Sequence, residues 1–135
     1  MYYAMDIKTR RASTEFNMPN LISVRRLMDF YRESTHFFVV TMVEYDLLAE
    51  GLLSITDVIV EPIEWFRWSC LGIGALGWGQ IQLKEASRIE VDRTQTRQSW
   101  LYEFVERLQN HYAREKAKVD ERLRYVEDFA THVLG

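Results

Sequence analysis

The residues with the most chemistry in them stand near the start of the chain, in the run Met5-Asp6-Ile7-Lys8-Thr9. On a β-strand, side chains alternate between faces, so Asp6 and Lys8 share one face and Met5 and Ile7 share the other. A carboxylate can hold a hard cation such as Mg²⁺ through oxygen. Such an ion polarises a phosphate and acidifies a bound water. A lysine beside it can orient that water and offset charge building on the phosphate. Asp-x-Lys on a strand therefore has the makings of a phosphodiester-hydrolysing site. By itself the pair is a weak signal, and a solvated edge ion pair is the plain alternative. On this reading Met5 and Ile7 face the core.

Other reactive constellations are excluded or fall to structural explanations. His36, His111 and His132 are far apart and lack ligand spacing, which argues against a histidine metal site. No Ser-His-Asp arrangement is legible. The single cysteine, Cys70, rules out an internal disulfide and any zinc site built on several thiolates. It lies among Trp68, Leu71 and Ile73 and reads as a buried structural thiol. The run GIGALGWG (72–79) holds four of the six glycines but lacks the Gly-Lys-Ser/Thr ending of a phosphate loop. Tight turns account for it. Trp65, Phe66, Trp68 and Trp78 read as core aromatics rather than a base-stacking platform.

The elements that must position Asp6 and Lys8 follow from periodicity. Tyr2–Lys8 reads as a strand. Asn17-Met18-Pro19-Asn20 is a turn, followed by a helix over Leu21–Tyr31 with apolar residues at Leu21, Val24, Leu27, Met28 and Tyr31 and Asn20 or Ser23 as its cap. His36–Tyr45 is an apolar strand whose composition implies burial on both faces. Thr56–Glu64 is a strand at an edge, or ending, at Pro62. Gln80–Lys84 alternates as a half-buried strand does, and Arg88–Asp92 is a further short strand. From about Gln98 to Leu134 there is no Gly or Pro, and apolar residues recur at threes and fours. One long helix or a hairpin broken near Arg114–Lys118 fits. The near-heptad stripe from Leu101 to Val133 could pack on its own sheet or pair two chains.

At 135 residues, with 47% apolar and 27% charged residues, the chain reads as one soluble globular domain spanning 1–135. The charge at Asp6 argues against a signal peptide, and no uncharged apolar run approaches the roughly 18 residues that span a bilayer. A cytoplasmic protein with no membrane association is expected. Net charge is -3, yet Asp6 to Arg32 carries six basic residues (Lys8, Arg10, Arg11, Arg25, Arg26, Arg32) against three acidic ones (Asp6, Glu15, Asp29). That segment can meet an anionic partner; Arg25 and Arg26 read as surface ion-pair formers.

Beyond the Asp-x-Lys strand, three stretches carry a family resemblance. FNMPNLISVRRL (16–27), EPIEWFRWSCL (61–71) and IGALGWGQIQL (73–83), with a helical C-terminal part that has Trp100 near its start, are similar in order to segments of type II restriction-endonuclease-like proteins of the PD-(D/E)-x-K nuclease superfamily. The resemblance covers most of the chain. It implies an α/β fold: a mixed, mostly short-stranded sheet of restriction-endonuclease type, a helix flanking it after the first strand, and a helical C-terminal third. It implies a Mg²⁺-dependent endodeoxyribonuclease acting on double-stranded DNA as a homodimer, with Asp6 as metal ligand and Lys8 assisting the attacking water. Arg10, Arg11, Asn17 and Asn20 would meet phosphates or bases, and Gln80 and Gln82 would face DNA, where Gln pairs bidentately with adenine. The family pattern places an acid-bearing strand before the Asp-x-Lys strand, and here only Met1 precedes it. The expectation is therefore the C-terminal part of such a domain, inactive as it stands unless Glu44 or Asp46 substitutes for the first acid. A non-catalytic DNA-binding or dimerisation module of the same descent is the alternative.

Overall fold

The computed structural model describes residues 1–14, 18–85 and 88–135. The chain is mixed α and β, with two three-stranded sheets and a C-terminal helix. It divides into two compact units, Met1–Trp100 and Leu101–Gly135.

The first sheet has the order β1-β3-β4: β1 is Tyr2–Arg11, β3 is His36–Leu47 and β4 is Leu53–Pro62. β1 runs parallel to β3, with Tyr2 opposite His36 and Arg11 opposite Tyr45. β4 returns antiparallel, Val39 facing Pro62 and Leu47 facing Leu53, with an irregularity between Glu44 and Tyr45. Dense β-branched and aromatic residues make β3 the central strand. β4 stops at Pro62, which has no N–H to extend a ladder. Three of the strands are ten residues or longer, so the expectation of mostly short strands fails for this sheet.

The second sheet is antiparallel, in the order β2 (Asn20–Ser23), β6 (Gln80–Leu83), β5 (Leu71–Gly74). Two sheets thus stand where one was expected. The glycine run splits between them in role: Gly72 and Gly74 lie inside β5, while Gly77 and Gly79 take left-handed backbone in the turn to β6. Leu21–Ser23 belongs to β2 rather than to the first turn of a helix. Helix α1 is Val24–Phe30, and Ser23 caps it by accepting from Arg26 N at 3.2 Å. The expected strand over Arg88–Asp92 reduces to one bridge between Val91 and Phe66. Backbone pairing there is local, Arg67 N to Glu90 O and Asp92 N to Trp65 O.

The core of the first unit gathers Leu21, Val24, Leu27, Phe38, Val40, Met42, Ile63, Phe66, Trp68, Cys70, Leu71, Ile81, Leu83 and Trp100, all buried. Trp68 and Trp100 stack with centroids 4.8 Å apart. Trp100 Nε1 donates to Phe66 O, and Trp68 Nε1 donates to Trp100 O. Phe66 and Trp68 are therefore core, as composition implied, whereas Trp65 is only half-buried and Trp78 is exposed and carries Arg25 over its ring. Cys70 is buried, and burial pushes its thiol above the ordinary range.

The second unit is helical. Helix α2 runs unbroken from Arg97 to Leu134, so the hairpin alternative falls. No helix of the described residues is long and apolar enough to cross a membrane.

Candidate Asp-x-Lys site on the first strand

β1 alternates as expected, but with the opposite facing. Ala4, Asp6, Lys8 and Arg10 are half-buried, while Tyr3, Met5, Ile7 and Thr9 are exposed. Met5 is 55% and Ile7 62% exposed, so the expectation that they enter the core is wrong. The cause lies in the neighbouring strand. Parallel register pairs Asp6 with Val40 and Lys8 with Met42, and Phe38, Val40 and Met42 form the buried face of β3. Tyr3, Met5 and Ile7 fall instead in register with Phe37, Val39 and Thr41. The same exposed face continues onto Ile55, Val58 and Val60 of β4. Because β3 is apolar on both faces, its composition could not tell which face of β1 would be covered.

Asp6 and Lys8 do sit together. Lys8 Nζ lies 3.4 Å from Asp6 Oδ1, with the side chains 34% and 23% exposed respectively. Asp6 Oδ2 is buried and has no hydrogen-bond partner among the described residues. A buried carboxylate oxygen without a donor costs free energy, and native structures keep few of them. Thr41 Oγ1 is a second such buried atom among the described residues, on the opposite face of β3.

Arg10 shares the face of Asp6 and Lys8 but is committed to Glu44, which stands opposite it in the β1–β3 register. Glu44 also accepts from Thr56 Oγ1 at 3.0 Å. It lies four residues beyond Val40, the partner of Asp6, which is about 13 Å along the strand. Asp46 is two residues further on and accepts its neighbour's amide, Leu47 N, at 2.9 Å. Neither acid comes alongside Asp6. The acid that shares its cross-strand row is Glu61, paired through Val40 in the order Asp6-Val40-Glu61. Glu61 is buried and engaged by Arg93. Sequence reasoning passed over it because its place depends on the β3–β4 register; the alternation Val58-Ile59-Val60-Glu61 was the only hint. Among the described residues no group of three or more His, Cys, Asp or Glu side chains is arranged to hold a metal.

The residues expected to meet DNA divide between the two sheets. Arg11 is exposed at the end of β1. Asn17 lies outside the described residues. Asn20 and Gln82 face each other in the β2–β6 register, and Gln82 Nε2 donates to Asn20 Oδ1 at 2.6 Å. Gln80, opposite Ser23, shares the half-buried face of β6 with Gln82, while Ile81 and Leu83 are buried behind them. These two sets belong to different sheets, and the amide pair already satisfies one edge of each partner. Arg25 reaches Asp29 at 3.9 Å, as a surface ion pair. No protein-family model matches the chain, and no curated protein matches it.

Proposed function

We propose that this chain carries the Asp-x-Lys part of a Mg²⁺-dependent, DNA-hydrolysing domain of restriction-endonuclease type. The observation that carries the reading is the pairing on β1: Lys8 beside Asp6 on a half-buried face, with one Asp6 oxygen buried and unpartnered. An unpartnered carboxylate oxygen suits a cation that takes one protein carboxylate and fills its other positions with water and substrate phosphate. Asp6 would hold the ion through that oxygen. Bound there, Mg²⁺ would supply polarisation of the scissile phosphate and a more acidic water. Lys8 would orient the attacking water and offset charge on the phosphate. A helix, α1, lies between β1 and its parallel partner β3, as the resemblance implies, although β2 of the second sheet intervenes before it. Arg11, exposed on the other face at the end of β1, would add positive charge there for a DNA backbone. The reading includes a homodimer, since two-fold DNA sites suit two-fold proteins.

The test is cleavage of a mixed-sequence plasmid by the purified chain with Mg²⁺, beside Lys8→Ala. Cutting by the parent that disappears with Lys8→Ala or with chelator supports the proposal. Cutting that survives Lys8→Ala, or no cutting by the parent with any divalent cation, overturns catalysis by this chain.

One observation favours a second reading, a DNA-binding or assembly module without catalysis. Glu44, the acid that would complete the site, is held by Arg10 and Thr56. That reading expects DNA retention unchanged by chelator and by Asp6→Asn.

A further inference from the structure

From Lys116 to Leu134 every residue of α2 except Ala130 is exposed. That stretch is nevertheless not polar throughout. Val119, Leu123, Val126 and Val133 are 49%, 55%, 59% and 62% exposed, and with Ala130 they recur at intervals of four, three, four and three. This is the heptad repeat of a helix seam, in which two positions per seven face a partner helix. Most helical stability in proteins comes from packing of an apolar face rather than from propensity, and valine is a weaker helix former than the residues around it. The internal ion pairs Glu115–Lys118 and Asp128–His132 are exposed and supply little.

We propose that this stripe is where a second copy of the chain docks, its α2 parallel and in register with the first. The flanking residues decide both partner and direction. With Leu123 and Ala130 at one seam position and Val119, Val126 and Val133 at the other, Arg122 and Phe129 line one side. Asp120, Glu127 and Leu134 line the other. In a parallel pair, each residue on the first side meets the residue five places later on the partner. Arg122 then meets Glu127 of the second copy, and Phe129 meets Leu134, each twice by symmetry. The one unfavourable contact is Glu115 with Asp120, and Glu115 is already held by Lys118 at 2.8 Å. An antiparallel pair brings Asp120 towards Glu127 and sets Arg122 beside Phe129, so it loses both favourable contacts. Leucine at the first seam position and valine at the second also admits more than two strands, with the same neighbour contacts. The inference needs neither DNA nor metal and stands apart from the Asp6–Lys8 reading.

The test is the mass of the full chain in solution, without DNA or Mg²⁺, by sedimentation equilibrium over a concentration series. The expected mass is at least twice the 16.1 kDa of one chain. Leu123→Glu with Val126→Glu should return it to one. Since two glutamates in the seam also weaken the helix itself, two surface variants keep the test sharp. Arg122→Glu and Glu127→Arg should each weaken association at least several-fold, and the double exchange should restore it. Ala130→Cys should form an intermolecular disulfide on oxidation, which an antiparallel pair cannot do at that position. A parent that stays monomeric throughout, a double exchange that fails to restore association, or an associated Ala130→Cys chain that does not cross-link would each overturn the proposal.

Discussion

Lys8 Nζ stands 3.4 Å from one oxygen of Asp6, while the other Asp6 oxygen is buried with no partner among the described residues. A carboxylate held this way serves folding poorly. The Lys8 contact is partly solvated and contributes no more than about 1 kcal/mol, whereas a buried oxygen without a donor costs a comparable amount or more. Replacing Asp6 with an isosteric apolar residue removes the cost and keeps the strand. Asp6→Val is therefore expected to leave thermal stability unchanged or raise it by up to about 1 kcal/mol, while abolishing any Mg²⁺-dependent cleavage. Thermal unfolding of parent and variant decides this. A loss of more than about 1 kcal/mol would make Asp6 a structural residue instead.

Gly79 and Gly77 sit in the same turn and should respond differently to alanine. Both have left-handed backbone, φ +102° and +60°. A Cβ at Gly79 would meet Ile73 Cγ2 at 3.0 Å and Val24 Cγ2 at 3.3 Å, whereas at Gly77 nothing lies within 4 Å. Gly79 O also accepts from Val24 N, so the turn ties the second sheet to α1. Gly77→Ala should cost about 1 kcal/mol, the strain of left-handed backbone alone. Gly79→Ala should cost about 2–3 kcal/mol, because core side chains must also move. Denaturant midpoints of the two variants test the difference, and equal losses would contradict it.

These two sites also mark how far the sequence could be read. That Asp6 and Lys8 share a face follows from strand alternation alone, and so it was legible. Which face is covered was not, since it depends on the register of β1 against a strand that is apolar on both sides. The unbroken helix α2 was legible because a stretch without Gly or Pro keeps one period over its whole length. Leu21–Ser23 was misread as helix because its apolar spacing merges with that of α1, while its strand pairing comes from Gln80–Gln82, some sixty residues away. Glu61 was missed for the same reason: its row is set by a partner strand rather than by local spacing. The division into two sheets likewise depends on contacts that no local pattern encodes.

The Tyr31 hydroxyl donates a hydrogen bond to Glu64 Oε2 at 2.6 Å, and Glu64 is only 4% exposed. Burial, and next the charge of Glu64, push the Tyr31 phenol far above its ordinary range. It therefore remains a donor throughout the alkaline range. A group whose folded pKa is raised stabilises fully below its unfolded value, near 10, and loses that contribution as pH rises above it. Stability should therefore fall with pH above about 10 more steeply in the parent than in Tyr31→Phe. At neutral pH, Tyr31→Phe should cost about 1–3 kcal/mol, since Glu64 stays buried and loses its donor. Absorbance titration at the tyrosinate band should show one tyrosine that ionises only as the chain unfolds. A smooth titration of all seven tyrosines near pH 10 would refute the assignment.

Trp100 is the last residue of the first unit and one of its largest fully buried side chains. Its ring stacks on Trp68, its indole N–H donates to Phe66 O at 3.1 Å, and its own carbonyl accepts from Trp68 Nε1 at 3.3 Å. Each indole thus donates to a backbone carbonyl, Trp68 to that of Trp100 and Trp100 to that of Phe66, in the place where Phe66 also bridges Val91. Trp100→Phe keeps an aromatic ring but leaves Phe66 O without its donor and opens space beside Trp68. It should cost about 2–3 kcal/mol, from the lost hydrogen bond and the smaller ring together. Trp100→Ala should cost about 3–5 kcal/mol. Trp68 fluorescence, read in a background with Trp65→Phe and Trp78→Phe and compared by difference with the parent, gives an independent readout, because stacking on a neighbouring indole holds it out of water. A red shift in both variants, larger for alanine, would show that Trp100 shields it; an unshifted spectrum in Trp100→Ala would mean that other core residues close over Trp68 without it.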